Sequence, residues 1–295
     1  MKQKSWLPAY IALGVVWGCS FIFIKQGLEF LTPFGVAFGR CALGALSLII
    51  VLKFHKQKFP REKNTWAKLW VVSLLLNVFP GVLFAYAEVH VTSILAGIIN
   101  ATTPLMTLIV LLTVFREEKV HRYQFLGLIV GAVGVLIVLG IWKGIGENSG
   151  LAVLALLAAV TCYGFSFPFT RRYVLPLGLR SDVMATTQIT AASITLLPLF
   201  LINGIAKDQY RLGPILAMVG LGVLGTGYAY IWNFKIISAA GSSIASTVTY
   251  LTPVVAVCMG WLFLGEGISW NEPVGGALVI VGAAISQGRF LTNKA

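Results

Sequence analysis

Apolar residues in this chain fall in long blocks interrupted by short polar segments, and the blocks show none of the one-sided striping of a water-soluble helix. A helix needs about 20 predominantly apolar residues to cross roughly 30 Å of hydrocarbon. The pattern predicts ten such helices, at about 6–24, 33–52, 69–87, 92–115, 123–141, 151–170, 182–202, 213–234, 243–264 and 273–288. Alternating segments of about ten residues, the mark of a membrane β-barrel, are absent. The expected fold is an all-α membrane protein of ten transmembrane helices.

Composition agrees. Apolar and aromatic residues make up 58% of the 295 residues, charged residues only 11%, and mean hydropathy is +0.88. A soluble domain carries about 25% charged residues, and disorder requires low hydrophobicity, so both classes are excluded. The net charge of +12 could suggest nucleic acid, but its distribution suggests an orientation signal. With the N-terminus cytoplasmic, the opposite side holds only Lys25, Lys143, Lys207 and Arg211, and Arg40 lies within a span. The positive-inside rule then puts both termini in the cytoplasm. The basic stretch from Lys53 to Lys68 is read as part of that signal, in contact with anionic lipid. Lys2 and Lys4 before an apolar run imitate a secretory signal, but the run lacks a small-residue cleavage site and is read as an uncleaved first helix. Cys19, Cys41, Cys162 and Cys258 fall inside spans and give neither a disulfide framework nor metal spacing.

Comparison of the chain with itself reveals a repeat. Trp17-Gly18-Cys19-Ser20-Phe21 resembles Tyr163-Gly164-Phe165-Ser166-Phe167; Thr103-Pro104 matches Thr252-Pro253; Glu118, Gly127 and Gly134 match Glu266, Gly275 and Gly282. Residues 1–146 and 147–295 thus form two five-helix copies within one membrane domain. Five is odd, so the second copy enters the membrane from the opposite side, as an inverted repeat of the kind that secondary transporters rock around a central site.

With the Trp-Gly-x-Ser-Phe motif at 17–21, Arg40 in the second helix, and Thr-Pro followed by Gly265-Glu266, the sequence resembles the EamA type of the drug/metabolite transporter superfamily over almost its whole length. The first copy departs from the pattern in having Arg116-Glu117-Glu118 where the second has Gly265-Glu266. The resemblance implies a monomer-sized pathway lined mainly by helices 1, 3, 4, 6, 8 and 9. It also implies outward movement of amino acids, metabolites or drugs across the bacterial inner membrane.

Arg40 is the most informative single residue. A charge about 10 Å into a span costs at least a few kcal/mol unless it is partnered or hydrated. Its guanidinium either holds a substrate carboxylate or phosphate, or locks onto backbone carbonyls as a structural element or gate. Near the midplane lie Trp17, Asn77, Thr103, Tyr163 and Pro253, with Ser20, Asn100, Ser166, Thr249 and Tyr250 close by. Unpaired polar atoms are costly in hydrocarbon, so this set is expected to face inward, either bridging helices or lining a cavity suited to a zwitterionic or amphipathic molecule. Pro104 and Pro253 are candidate gate kinks. Gly35/Gly39 and Gly127/Gly131 permit close helix contact, read as intramolecular. Glu88 and His90, at the outer end of the third helix, are the candidate proton-handling pair.

A membrane-embedded enzyme is the rival class, but His55, His90 and His121 are boundary or loop residues without an acidic partner at metal spacing. The run Gly220-Leu221-Gly222-Val223-Leu224-Gly225 matches a dinucleotide fingerprint by letters only. The reading is a non-enzymatic exporter of amino acids and related metabolites, with a sugar-phosphate or nucleotide-sugar exchanger as the alternative. No cofactor or metal is expected; the partners are a small-molecule substrate and membrane lipid, with no nucleic acid. The monomer is the expected functional unit, a dimer the minority reading.

Overall fold

The structure, a computed structural model, describes residues 6–91, 93–115, 121–139, 142, 150–206, 211–264 and 270–286. Lys2, Lys4, Glu118, Lys119, Lys143, Lys207, Gly265, Glu266, Arg289 and Lys294 lie outside them. The described residues are almost entirely helical, with a single isolated bridge between Leu31 and Ile205. The elements are α1 (Leu7–Gly27), α2 (Pro33–Phe54), α3 (Lys63–His90), α4 in two pieces (Ser93–Asn100 and Thr103–Thr113) and α5 (Arg122–Leu139). They continue with α6 (Gly150–Leu177), α7 (Ser181–Asn203), α8 (Leu212–Ala240), α9 in three pieces (Ser242–Ser246, Thr247–Tyr250, Leu251–Leu264) and α10 (Asn271–Ser286). By length and composition α1, α2, α3, α6, α7 and α8 are long and apolar enough to cross a membrane. Ile11, Leu46, Ile50, Leu151, Leu154, Ile194, Leu201 and Leu216 stand exposed on their outer faces, as a lipid-facing surface requires.

Local chemistry sets the ends and the breaks. Thr32 caps α2, its Oγ1 accepting from the Gly35 amide at 3.2 Å, with Pro33 in the first turn, where a missing N–H costs nothing. Gly178 (φ 67°) and Gly241 (φ 89°) end α6 and α8 in the left-handed region that glycine enters without strain. α3, α6 and α8 run longer than the apolar pattern predicts, because each extends past its hydrocarbon-length core at one end, at Lys63 in α3, Arg171 in α6 and Lys235 in α8.

α3 and α8 each contain a widened π-turn, Leu74–Val78 and Val223–Tyr228. In α3 the cause is Pro80, which has no N–H to give the carbonyl of Leu76. In α4 and α9 the helix breaks at the two Thr-Pro pairs. Pro104 and Pro253 would leave the carbonyls of Asn100 and Thr249 bare. The preceding threonine closes each gap, Thr103 Oγ1 donating to Asn100 O at 2.6 Å and Thr252 Oγ1 to Thr249 O at 2.7 Å. Both prolines therefore sit at true helix breaks.

The helices alternate in direction. At one end His55 meets Asp182 at 2.8 Å, and Arg171 Nη1 donates to Ile237 O at 3.2 Å; His55 thus pairs with one acid from a distant part of the chain, without a metal-holding cluster among the described residues. At the other end Thr32 N donates to Gly204 O at 3.1 Å, and Asn271 Nδ2 to Ile137 O at 3.2 Å. Lys53, Lys56, Lys58, Arg61, Arg171, Arg172 and Arg180 gather at the first end, whereas the described cations at the second are Lys25 and Arg211. The glycine spacings serve contacts within the chain: Gly35 lies against the carbonyl of Gly204, and Gly127 lies against α10 at Gly282 and Ser286.

A side chain at Gly127 would drive α5 off the α10 backbone. Gly127→Val should lower the unfolding temperature of the detergent-purified protein, at a cost of about 1–3 kcal/mol. Gly213→Val, where nothing lies within 4 Å, should leave it unchanged.

Candidate functional site

The chain buries its polar groups where the first five helices meet the last five. Arg40 on α2 is 8% exposed and uses one edge of its guanidinium to lock onto α8, Nε donating to Thr226 Oγ1 at 3.0 Å. Its terminal nitrogens make no hydrogen bond to any described residue and face a central cavity. The lock is to a side-chain hydroxyl rather than to the backbone carbonyls the sequence suggested. Thr226 is free to accept because its own hydrogen goes to Leu221 O at 2.9 Å.

A second contact mirrors the first. Gln188 on α7 donates through Nε2 to Asn77 Oδ1 on α3 at 2.6 Å. Gln188 stands 148 residues after Arg40, and Thr226 stands 149 after Asn77. Each π-turn also exposes a carbonyl that the other half caps: Tyr230 OH donates to Leu76 O at 3.0 Å, and Trp17 Nε1 to Gly225 O at 3.2 Å. The breaks in α4 and α9 are tied by Asn100 Nδ2, which donates to Thr252 Oγ1 at 3.4 Å.

Between these contacts lies a cavity of about 40 Å³, room for about two or three waters. Of the residues singled out from the sequence, Trp17, Ser20, Arg40, Asn100, Tyr163 and Thr249 line it. The structure places the others elsewhere. Asn77 stands behind the wall, engaged with Gln188. Thr103 and Ser166 satisfy carbonyls of their own turns. Tyr250 points away to α5, its hydroxyl donating to Leu128 O at 3.0 Å, because the 3₁₀ turn at Thr247–Tyr250 rotates that face of α9. Periodicity alone missed Tyr230, Phe84, Phe21 and Phe167 in the wall; as apolar or aromatic members of apolar runs they carried no polar signal. Gln188 and Thr226 could have been found by carrying Arg40 and Asn77 across the repeat.

The Asn100 side chain is oriented by its neighbours. Thr252 spends its hydrogen on Thr249 O, so its oxygen can only accept, which turns Asn100 Nδ2 toward it and leaves Asn100 Oδ1 buried without a partner. The cavity is thus lined by the Arg40 guanidinium and the Asn100 side chain within walls of Trp17, Phe21, Phe84, Tyr163, Phe167 and Tyr230. Toward the cation-rich end a larger cleft, about 560 Å³, is lined by described residues including Phe115, His121, Pro168, Arg171 and Ser243.

Glu88 and His90 do not form a pair. The Glu88 side chain is fully buried, Oε2 accepting from Ser93 Oγ at 3.1 Å. His90 is exposed, its ring against Tyr86 at 5.2 Å. Residues two apart on a helix point to different faces.

A model of the EamA-like transporter family matches residues 4–140 and again 150–287; the chain belongs to that family, a membrane transporter of the drug/metabolite transporter superfamily. It is 23% identical to the uncharacterized transporter YoaV of Bacillus subtilis, over 96% of this chain and 97% of that protein. It is 25% identical to the uncharacterized inner membrane transporter YedA of Escherichia coli K12, over 99% of this chain and 94% of that one. It is 24% identical to protein PecM of Dickeya dadantii, over 95% and 91%. A solved crystal structure shares its fold, with a TM-score of 0.78 at 16% identity over the whole of both chains.

Tyr230→Phe removes the only cap on Leu76 O. It should cost about 1–3 kcal/mol, the penalty of an orphaned buried carbonyl, read as a fall in unfolding temperature in detergent.

Proposed function

We propose that the protein exports small zwitterionic solutes, amino acids and related metabolites, across the bacterial inner membrane by alternating access. The observation that carries this reading is the pairing of Arg40 and Asn100 in one cavity. The guanidinium offers two donors in the geometry of a carboxylate, and the Asn100 amide on the wall of the same cavity supplies the polar partner for an ammonium group. The aromatic walls suit an apolar side chain and add attraction for a cation over their faces. A phosphate-bearing solute calls for further positive charge, and Arg40 is the one cation among the described cavity-lining residues.

Three repeated features support the mechanism. The matched copies, the matched π-turns and the matched Thr-Pro breaks are the parts of an inverted repeat of five helices each. The copies pack over broad, largely apolar surfaces, with the polar contacts between them gathered around the cavity; the copies rock about these, with Pro104 and Pro253 as hinges. The cation-rich end is read as cytoplasmic, with both termini on that side, and the cleft at Arg171 and Ser243 as the way in.

The test is efflux of a mixture of radiolabelled amino acids from cells overexpressing the protein. Wild type should raise efflux above control cells. Arg40→Lys keeps the charge but loses the fork and should lower it about ten-fold, a change of about 1.4 kcal/mol, and Asn100→Leu should lower it comparably. Undiminished efflux in Arg40→Lys refutes the carboxylate assignment.

A further inference from the structure

Two buried acids occur among the described side chains, and they are treated differently. Asp182 is met by Arg180 at 2.9 Å and by His55 at 2.8 Å. Glu88 is 0% exposed, and no cation reaches its carboxyl within ion-pair distance among the described residues; Oε2 has the Ser93 hydroxyl and Oε1 has nothing. Its surroundings can be named element by element. From α1, Lys25 approaches but spends its ammonium on main-chain oxygens, Glu88 O at 2.7 Å and Val91 O at 3.4 Å. From α2, the Arg40 charge reaches it through the cavity. From α6, Tyr163 stacks on Phe84 at 5.8 Å. The first piece of α4 contributes Ser93 and no titratable residue. On α3 itself, Tyr86 and His90 lie on the exposed side.

The position is as telling as the isolation. Phe84, one helical turn from Glu88, lines the central cavity. On the other side, at the end of the helix, lie Ser93, Lys25 and Val91. Ser93 begins α4, so any movement that draws α4 away from α3 removes the one hydrogen bond and admits water. A carboxylate buried without a cation costs several kcal/mol; hydration removes that cost. The charge state of Glu88 and the closure of this end are therefore linked.

Resting on the transport reading above, we propose that Glu88 is the binding site for a coupling proton that lets the empty protein return. With the outer end open, the hydrated carboxylate takes a proton from external hydronium, leaving water and a neutral carboxylic acid. Ser93 closes on that acid. When the cavity opens to the cytoplasm, water reaches the Phe84 side, and the acid gives its proton to that water, restoring the carboxylate. One proton enters for each solute that leaves.

The experiment compares net efflux of radiolabelled amino acids from preloaded cells into solute-free medium at about pH 6 and pH 8 with exchange against the same amino acids outside. Exchange does not use the empty return. Wild-type net efflux should be about five-fold or more faster at the lower pH, with exchange far less sensitive. Glu88→Gln, neutral at every pH, should flatten the net-efflux profile and bring the ratio of exchange to net efflux at pH 8 down to that of wild type at pH 6. Should that variant fold poorly, Ser93→Ala should shift the midpoint of the profile. A wild-type profile without pH dependence, or one kept by Glu88→Gln and Ser93→Ala, overturns the proposal. If no labelled amino acid moves at all, the solute reading fails on its own. Glu88 is then judged by whether the difference in unfolding temperature between wild type and Glu88→Gln changes by about 3 °C or more between pH 5.5 and 8.5; a constant difference overturns the proposal.

Discussion

A backbone carbonyl released inside a membrane has no water to turn to, and that constraint organises the middle of this protein. Among the carbonyls that lose or loosen their helical bond there are four that a described side chain meets: Leu76 and Gly225 at the π-turns of α3 and α8, Asn100 and Thr249 at the Thr-Pro breaks. Each is met by a side chain. At the breaks the donor is local, the threonine hydroxyl standing in for the N–H that proline lacks. At the π-turns the donor crosses from the other half of the chain, Tyr230 to Leu76 and Trp17 to Gly225. Irregular backbone and contact between halves are thus one device. Trp17 and Tyr230, which repair the π-turns, also wall the cavity, so stability and the candidate site are coupled at these two residues.

This arrangement explains why a charge can sit at depth. Arg40 is held by Thr226 on one edge and by the cavity on the other, while its counterpart in the repeat, Gln188, holds Asn77 without charge. The two contacts occupy matched places but are chemically unlike. An asymmetric cavity follows, cationic on the side of the first copy, and the proposed carboxylate of a solute would take that side. Glu88, one turn beyond Phe84, adds a single isolated acid within reach of the Arg40 field.

The packing of α5 on α10 is of another kind. Gly127 and Gly134 bring the helices into backbone contact with Gly282, Gly275 and Val279, and Asn271 Nδ2 donates to Ile137 O at one end of the pair. In the proposed rocking of the two copies this pair is a pivot rather than a pathway, consistent with the distance of its glycines from the cavity residues in sequence and contact.

Length and hydropathy of the runs, together with internal matches such as Thr103-Pro104 with Thr252-Pro253, determined an all-helical membrane chain of two related copies. These are local or periodic properties, set by the thickness of hydrocarbon and the hydrogen-bond needs of a backbone within it. The sequence also singled out Trp17, Ser20, Arg40, Asn100, Tyr163 and Thr249, because a polar or amphipathic residue in an apolar run must find a protein partner. It could not say which partner. That Tyr250 turns to α5, that Asn77 meets Gln188 rather than the cavity, and that His55 meets Asp182 all depend on residues far apart in the chain. Those outcomes belong to the tertiary structure, since the rotation of each helix about its axis is settled only when its breaks, glycines and π-turns meet those of its neighbours.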